Sequence, residues 1–450
     1  MKKLLILIYF FVLYLTFIFT RSILGVYILD YRVGEYFVGF SLIGTILVVT
    51  IFQNYFIKKT NKKIFRSYQI VIFYFIFSVI INKNSFLNIE IYKHSSIIWS
   101  IFYVFLGIYF ADYFQITKKV SYFLNLNLFL VFYLQMFYFY DLSLLYADTA
   151  IYPMEDRLLY ITGNNILDFF IINSDKFETY KGTGFLLFFI LITFISNNLN
   201  GNSKMSSLYF YFISGLFIPV FLIRSRTAAF VVLIYIIFQI TTNKMYFKEK
   251  KINFLLFLAF FTSFYFSINQ INEESVTLQN SNDQLVNLLT ERNQPQSNRP
   301  FLEIQNKRIY SNDGNLNWRL QIWQDVIFDL ITSDSILFGY GFSGDIPAMK
   351  DSISGYYGRW GLDGLNKNVH NFIVNMLARG GVILNFLYFY FIYSLFKFEK
   401  ADIGVSKLKL FLIPLFIASL FDASMENVHF PMFLYLYLGY YLNNKSVKYK

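Results

Sequence analysis

The sequence predicts an all-α polytopic membrane protein of about 12 transmembrane helices, with a large periplasmic loop between spans 9 and 10. Three observations lead there. Of the 450 residues 56% are hydrophobic and only 15% charged, outside the balance of an ordinary soluble domain. Apolar runs of 15 to 22 residues, rich in the 57 Phe and 37 Tyr, lack the polar face that a helix at the surface of a soluble core would carry. Finally, the cations gather in every other connection between these runs, which puts them on one side. That pattern turns the formal charge of +11 into a statement about membrane sidedness rather than nucleic acid, which is not expected as a partner.

The spans fall near 4–20, 36–57, 68–82, 97–112, 123–140, 184–197, 207–223, 227–242, 252–268, 372–396, 408–422 and 430–443. The first follows Met1-Lys2-Lys3 as a signal peptide would. It is long for the apolar core of one and lacks a small-residue cleavage site, so it reads as a first anchor. With the N-terminus cytoplasmic, the inner segments carry 21 of the 39 basic residues, chiefly Lys58, Lys59, Lys62, Lys63 and Arg66, then Lys244, Lys248, Lys250 and Lys251. The short outer connections are poor in them. Both termini are therefore expected on the cytoplasmic side.

The chain divides into 1–268, holding spans 1–9 with an outer loop near 141–183; the large loop 269–371; and 372–450, holding spans 10–12 and a cytoplasmic tail. Within the large loop, 269–315 is polar, has little apolar periodicity and is expected to be mobile. Leu316, Leu320, Trp323, Ile327 and Leu330, joined by Ile322, Val326 and Ile331, then describe an amphipathic helix with Asn317 as its N-cap, lying on the membrane or the helical bundle. A Gly-rich turn at 339–344 follows, and Asn368-Val369-His370-Asn371 precedes span 10. No internal repeat and no matched pair of broken helices is visible, as an inverted-repeat transporter would show.

Zero cysteines exclude disulfides, thiolate metal sites and a cysteine nucleophile together. The three histidines, His94, His370 and His429, have no metal-ligand spacing, so neither a metal site nor a cofactor is expected. Arg224 and Arg226 stand in a short outer loop that should avoid cations. They either snorkel to lipid headgroups or form an anion site, for which a planar guanidinium suits phosphate better than an ammonium does. Arg319 lies one turn before Trp323, and Trp318, Trp323 and Trp360 place three of the four tryptophans in one loop. Such rings either cover a loop helix or receive sugar or lipid headgroup. His370, at the mouth of span 10, is either structural, a general base or a cation facing phosphate. The loop 269–371 carries eight basic and twelve acidic residues, so anion binding there needs a few placed arginines.

Ser225-Arg226-Thr227 entering a span, Trp318-Arg319 with Trp323, Phe338-Gly339-Tyr340-Gly341-Phe342, and His370-Asn371 followed by Arg379-Gly380-Gly381 resemble, in order and spacing, the O-antigen ligase and polymerase superfamily of the Wzy/WaaL type. The resemblance covers about 207–400 and departs from the pattern in the polar insertion 269–315. It implies a membrane glycosyltransferase acting on a polyprenyl-diphosphate-linked saccharide donor and a saccharide acceptor at the periplasmic face, without nucleotide sugar or required metal. Arg226 and Arg319 match the family's arginines and His370 its loop histidine. Membrane lipid and a chain-length regulator are the further partners this implies. On that reading Arg224, Arg226 and Arg319 hold the diphosphate, His370 takes the proton of the attacking hydroxyl, and one displacement inverts the anomeric carbon. The expected function is polymerisation of repeat units. The rivals are transfer of finished polysaccharide to lipid A core, flipping of a lipid-linked saccharide, and a transferase using Asp30 or Glu35.

Overall fold

In a computed structural model, the protein is described at residues 11–13, 15–16, 19, 25–28, 31–60, 62–82, 86, 88–113, 177–178, 301–312, 314–350, 369–398, 415–421 and 423–443. Spans expected at 123–140, 184–197, 207–223, 227–242 and 252–268, like the outer loop 141–183, lie outside the described residues. Three described helices are long and apolar enough to cross a membrane: Val33–Ile51 (α1), Lys62–Ile81 and Phe372–Leu395. The protein is mostly helical and belongs to the membrane.

Two compact units are formed. The first takes in 1–51, 102–267 and 433–450. Its helix α1 buries Gly34, Val38, Ser41, Thr45 and Val49, a stripe of small and β-branched residues at steps of three and four. Phe40, Ile43, Leu47 and Ile51 are left exposed. Small-inside, large-outside is the arrangement expected when lipid rather than water surrounds a helix, because close backbone approach then drives packing. Ser41 meets the Tyr103 hydroxyl at 2.5 Å, tying α1 to the helix Phe102–Tyr113. Gly439 packs against the Val104 backbone, where any Cβ would collide with the Val104 carbonyl oxygen. Gly25–Ile28 (β1) pairs antiparallel with Tyr31–Arg32 (β2) and with Phe177–Glu178 (β3).

The second unit comprises 52–101 and 268–432. It contains Gln53–Thr60 (α2), Lys62–Ile81 (α3), Ile89–His94 (α4) and Ser96–Trp99 (α5), then Leu302–Gln305 (β4), Arg308–Ser311 (β5), Gly314–Thr332 (α7), Pro347–Lys350 (α8) and Phe372–Phe398 (α9). The helix Phe102–Tyr113 of the first unit is α6, and His429–Asn443 is α10.

Several expectations change here. The all-α description yields to two small sheets. The span at 36–57 is α1 followed by a separate helix α2, and that at 97–112 is α5 and α6, interrupted at Ser100–Ile101. The end of the polar stretch 269–315 is a hairpin whose two-residue turn, Asn306-Lys307, has φ of 51° and 63°. Positive φ at both turn positions is what a type I′ turn needs to match strand twist. Asn317 does not cap α7, which starts at Gly314. Its side-chain oxygen instead accepts from Ser311 N at 3.0 Å, seating the hairpin on the helix. Gln321, Gln324 and the Arg308–Asp325 pair continue that seam. Because the hairpin takes one flank, the core-facing row of α7 is Trp318, Ile322, Val326 and Leu330, while Ile327 and Ile331 are exposed. Span 10 is not continuous: α9 breaks at Gly381, with φ 70° and ψ −172°.

A candidate active site at a broken helix

The break in α9 organises the site. That backbone conformation is essentially restricted to glycine, and a Cβ at Gly381 would overlap the Leu337 carbonyl. Breaking a helix frees carbonyls before the break and N–H groups after it, and at membrane depth each must find a protein partner. The Gly-rich turn supplies them. Tyr340 N donates to Ala378 O at 2.7 Å and Gly341 N to Arg379 O at 3.0 Å, while Val382 N and Ile383 N donate to Ile336 O and Leu337 O. Gly380 O accepts the Tyr74 hydroxyl of α3 at 2.7 Å. At Gly339, φ is 70° and an added Cβ would stand 2.6 Å from the Arg379 backbone, so this approach also requires glycine. The Phe-Gly-Tyr-Gly-Phe and Arg-Gly-Gly motifs are thus two halves of one structure.

Arg379, only 2% exposed, points its guanidinium back into the turn, donating to the Gly341 and Gly344 carbonyls. Its Nε is buried without a hydrogen-bond partner. Glu426, Asp345 and Glu90 are the carboxylates within electrostatic reach. From α4, His94 Nδ1 lies 3.0 Å from Phe342 O. A carbonyl only accepts, so Nδ1 carries the proton. Burial, reinforced by the charge of Arg379, pushes this imidazole down to about 4 against the pull of the Phe342 carbonyl, Glu90 and Asp345. His94 is neutral at pH 7, and Glu90 at 3.6 Å from Nε2 is a neighbour rather than an ion-pair partner. Burial first, then a 2.6 Å hydrogen bond to Asp329, raises the Tyr340 hydroxyl to about 12.

Immediately before α9, Asn371 serves as N-cap, its side-chain oxygen accepting from Ile373 N at 3.0 Å and Val374 N at 3.2 Å. His370 beside it has φ 60°, a left-handed conformation uncommon outside glycine. It is surrounded by restraints. The Trp318 ring meets the imidazole edge-on, with centroids 4.9 Å apart. Trp323 Nε1 donates to Val369 O at 2.9 Å. The two oxygens of Glu426, on the 3-10 turn Ala423–Glu426, accept from Val369 N and Asn371 N, each at 2.9 Å. Arg319 is about 100° around α7 from Trp318 and about 40° from Trp323, inside the arc that both tryptophans direct at 369–370.

Of the residues expected at the site, Trp318, Trp323 and His370 are brought together by α7 and the mouth of α9, and Arg319 stands on α7 between the two tryptophans in the helical turn. Arg224, Arg226 and Trp360 lie outside the described residues. Trp318 is 3% exposed, and its ring packs edge-on against His370. Trp323 spends its N–H on the His370 segment. Residues 185–389 match the family model of the O-antigen ligases, Wzy_C. This match supports the resemblance to the O-antigen ligase/polymerase superfamily. No curated protein and no solved structure matches the chain. The Wzy_C segment includes α7, the Gly-rich turn and α9 as far as Tyr388-Phe389, but not Glu426. Glu426 and His94, which the structure brings against these segments, were not among the residues expected at the site. Glu426 had a faint signal, as a carboxylate in the short connection between the last two expected spans.

Proposed function

We propose that the protein is an O-antigen or capsule repeat-unit polymerase: an inverting, metal-independent glycosyltransferase that uses polyprenyl-diphosphate-linked oligosaccharide at the periplasmic face of the inner membrane. The observation that carries this reading is the held position of His370 at the mouth of α9. Trp318, Trp323 and Glu426 fix the histidine's backbone and ring, while Arg319 leaves α7 on the same arc. In the proposed reaction, an acceptor hydroxyl attacks the anomeric carbon of the donor. Its proton passes to the imidazole, the bond from that carbon to the diphosphate oxygen breaks, and the lipid diphosphate leaves with an added negative charge. Arg319, with Arg226 and Arg224, neutralises this developing charge; a planar fork meeting phosphate oxygens does so best in the transition state. The lipid tail lies among the spans.

A second reading, transfer of finished polysaccharide to lipid A core, is favoured by the ligase description of the matching family. Both share one chemistry and differ in acceptor. The purified protein is incubated with a polyprenyl-diphosphate repeat unit, with and without lipid A core, in the presence and absence of EDTA. Longer lipid-linked chains insensitive to EDTA are expected. Product formed only on core would make the protein a ligase, and no product with either acceptor would remove both readings. Loss in EDTA restored by magnesium or manganese would replace the arginine-based mechanism with a carboxylate-metal one.

A further inference from the structure

We infer that Glu426 is the positioning residue of the proposed catalytic loop, an assignment that rests on the role of His370 as base. Its carboxylate straddles the histidine, one oxygen on the N–H of Val369 and the other on that of Asn371, both at 2.9 Å. These two peptide groups flank the residue whose φ is 60°. A non-glycine residue keeps that conformation only where its surroundings over-determine it. Trp323 restrains one side, through Val369 O, and Trp318 meets the ring. Glu426 alone among these three side chains bonds the backbone on both sides of His370.

Only a carboxylate offers an acceptor to both donors in this geometry. Glutamine would keep one oxygen and turn an amide NH₂ toward the other N–H, so one bond would become a donor–donor clash. Glu426 is itself fixed, since Ser424 and Met425 of its 3-10 turn are buried. It also lies in electrostatic reach of Arg379, whose guanidinium holds the Gly-rich turn. The carboxylate touches backbone, not the reacting atoms, so its effect on turnover passes through His370.

The test is a double-mutant cycle on the purified full-length protein with a polyprenyl-diphosphate oligosaccharide that supports wild-type turnover, radiolabelled so that residual rates are read. Glu426→Gln should lower kcat about 10- to 100-fold, as a misplacement near 1 Å does, with donor KM nearly unchanged. In a His370→Ala background the same change should add nothing, because no base remains to be positioned. Equal losses in both backgrounds, or a loss matched by a falling Tm, would overturn the inference and leave Glu426 a structural residue. Wild-type turnover in Glu426→Gln beside a crippled His370→Ala would also overturn it while sparing the proposed function. Wild-type turnover in His370→Ala would instead withdraw the base, and with it both readings of this site. Should Glu426→Gln not fold, Glu426→Asp, one methylene short of the same two donors, takes its place with the same expected pattern. Failure of both to fold assigns Glu426 to folding alone and overturns the inference.

Discussion

Arg319 and His370 make opposite demands on their substitutions. A lysine at 319 keeps the charge but loses the planar fork, so Arg319→Lys should still depress turnover strongly while leaving expression and Tm near wild type. His370→Ala should lose about 100- to 10,000-fold in kcat, the range of one general base, with donor binding retained. Turnover near wild type in either variant would remove that residue from the chemistry. His94 makes a different kind of prediction. Its folded-state pKa is about 4, below the ordinary histidine value, so the unfolded chain binds its proton first. The stability it contributes is present above about pH 6.5 and is lost as the pH falls toward about 4. Melting wild type and His94→Gln across that window should show the steeper decline in wild type, and parallel curves would contradict the assignment. Motif order foreshadowed the meeting of Trp318 and Trp323 with the His370 segment. Glu426 was not legible, because 55 or more residues separate it from the peptide groups it holds, and only folding makes them neighbours.

The elements were legible where apolar periodicity is long, and illegible where polar side chains do the joining. The existence of α7 follows from its repeating apolar positions, but its facing does not. Asn317, Gln321 and Asp325 are buried because a hairpin covers them, and that hairpin is itself written in polar residues, Glu303 to Arg308. Asn306 hinted at the turn, while Lys307, standing where glycine is usual, hid it. Residue spacing alone made α9 a single span, since a glycine pair within an apolar run does not announce a break. The geometry sets a sharp test. Gly381→Ala adds a Cβ into the Leu337 carbonyl at a conformation almost only glycine adopts, and the backbone alone should cost roughly 1–3 kcal/mol. Gly39→Ala, with nothing within 4 Å of the added atom, is the matched control and should leave Tm unchanged. A Gly381→Ala protein as stable as that control would show that the break is not needed.

For the whole molecule, the side of the membrane decides whether the proposed chemistry can occur, since lipid-linked repeat units are joined outside the cytoplasm on this reading. From the cation asymmetry we propose that 269–371 faces the periplasm and that 58–66, 244–251 and the tail face the cytoplasm. With no native cysteine, a cysteine introduced at Ser281 reports cleanly. It should react with an impermeant reagent in intact spheroplasts. Reaction only after the membrane is opened would move the loop to the wrong side. The membrane class was legible because lipid imposes a composition on whole segments. The two small sheets were not, for strands of two to four residues carry too little pattern to be read against such a background.

The pairing of the Gly-rich turn with the broken helix bears on whether this protein can be divided. Four backbone hydrogen bonds cross between 336–341 and 378–383. Excise the loop as a soluble fragment, and its turn loses the template that shapes it. Keep only the spans, and four peptide groups stand bare in or near hydrocarbon, at several kcal/mol apiece. The extramembrane loop and the membrane helix are therefore inseparable parts, and a chimera that borrows one from a relative must borrow the other with it.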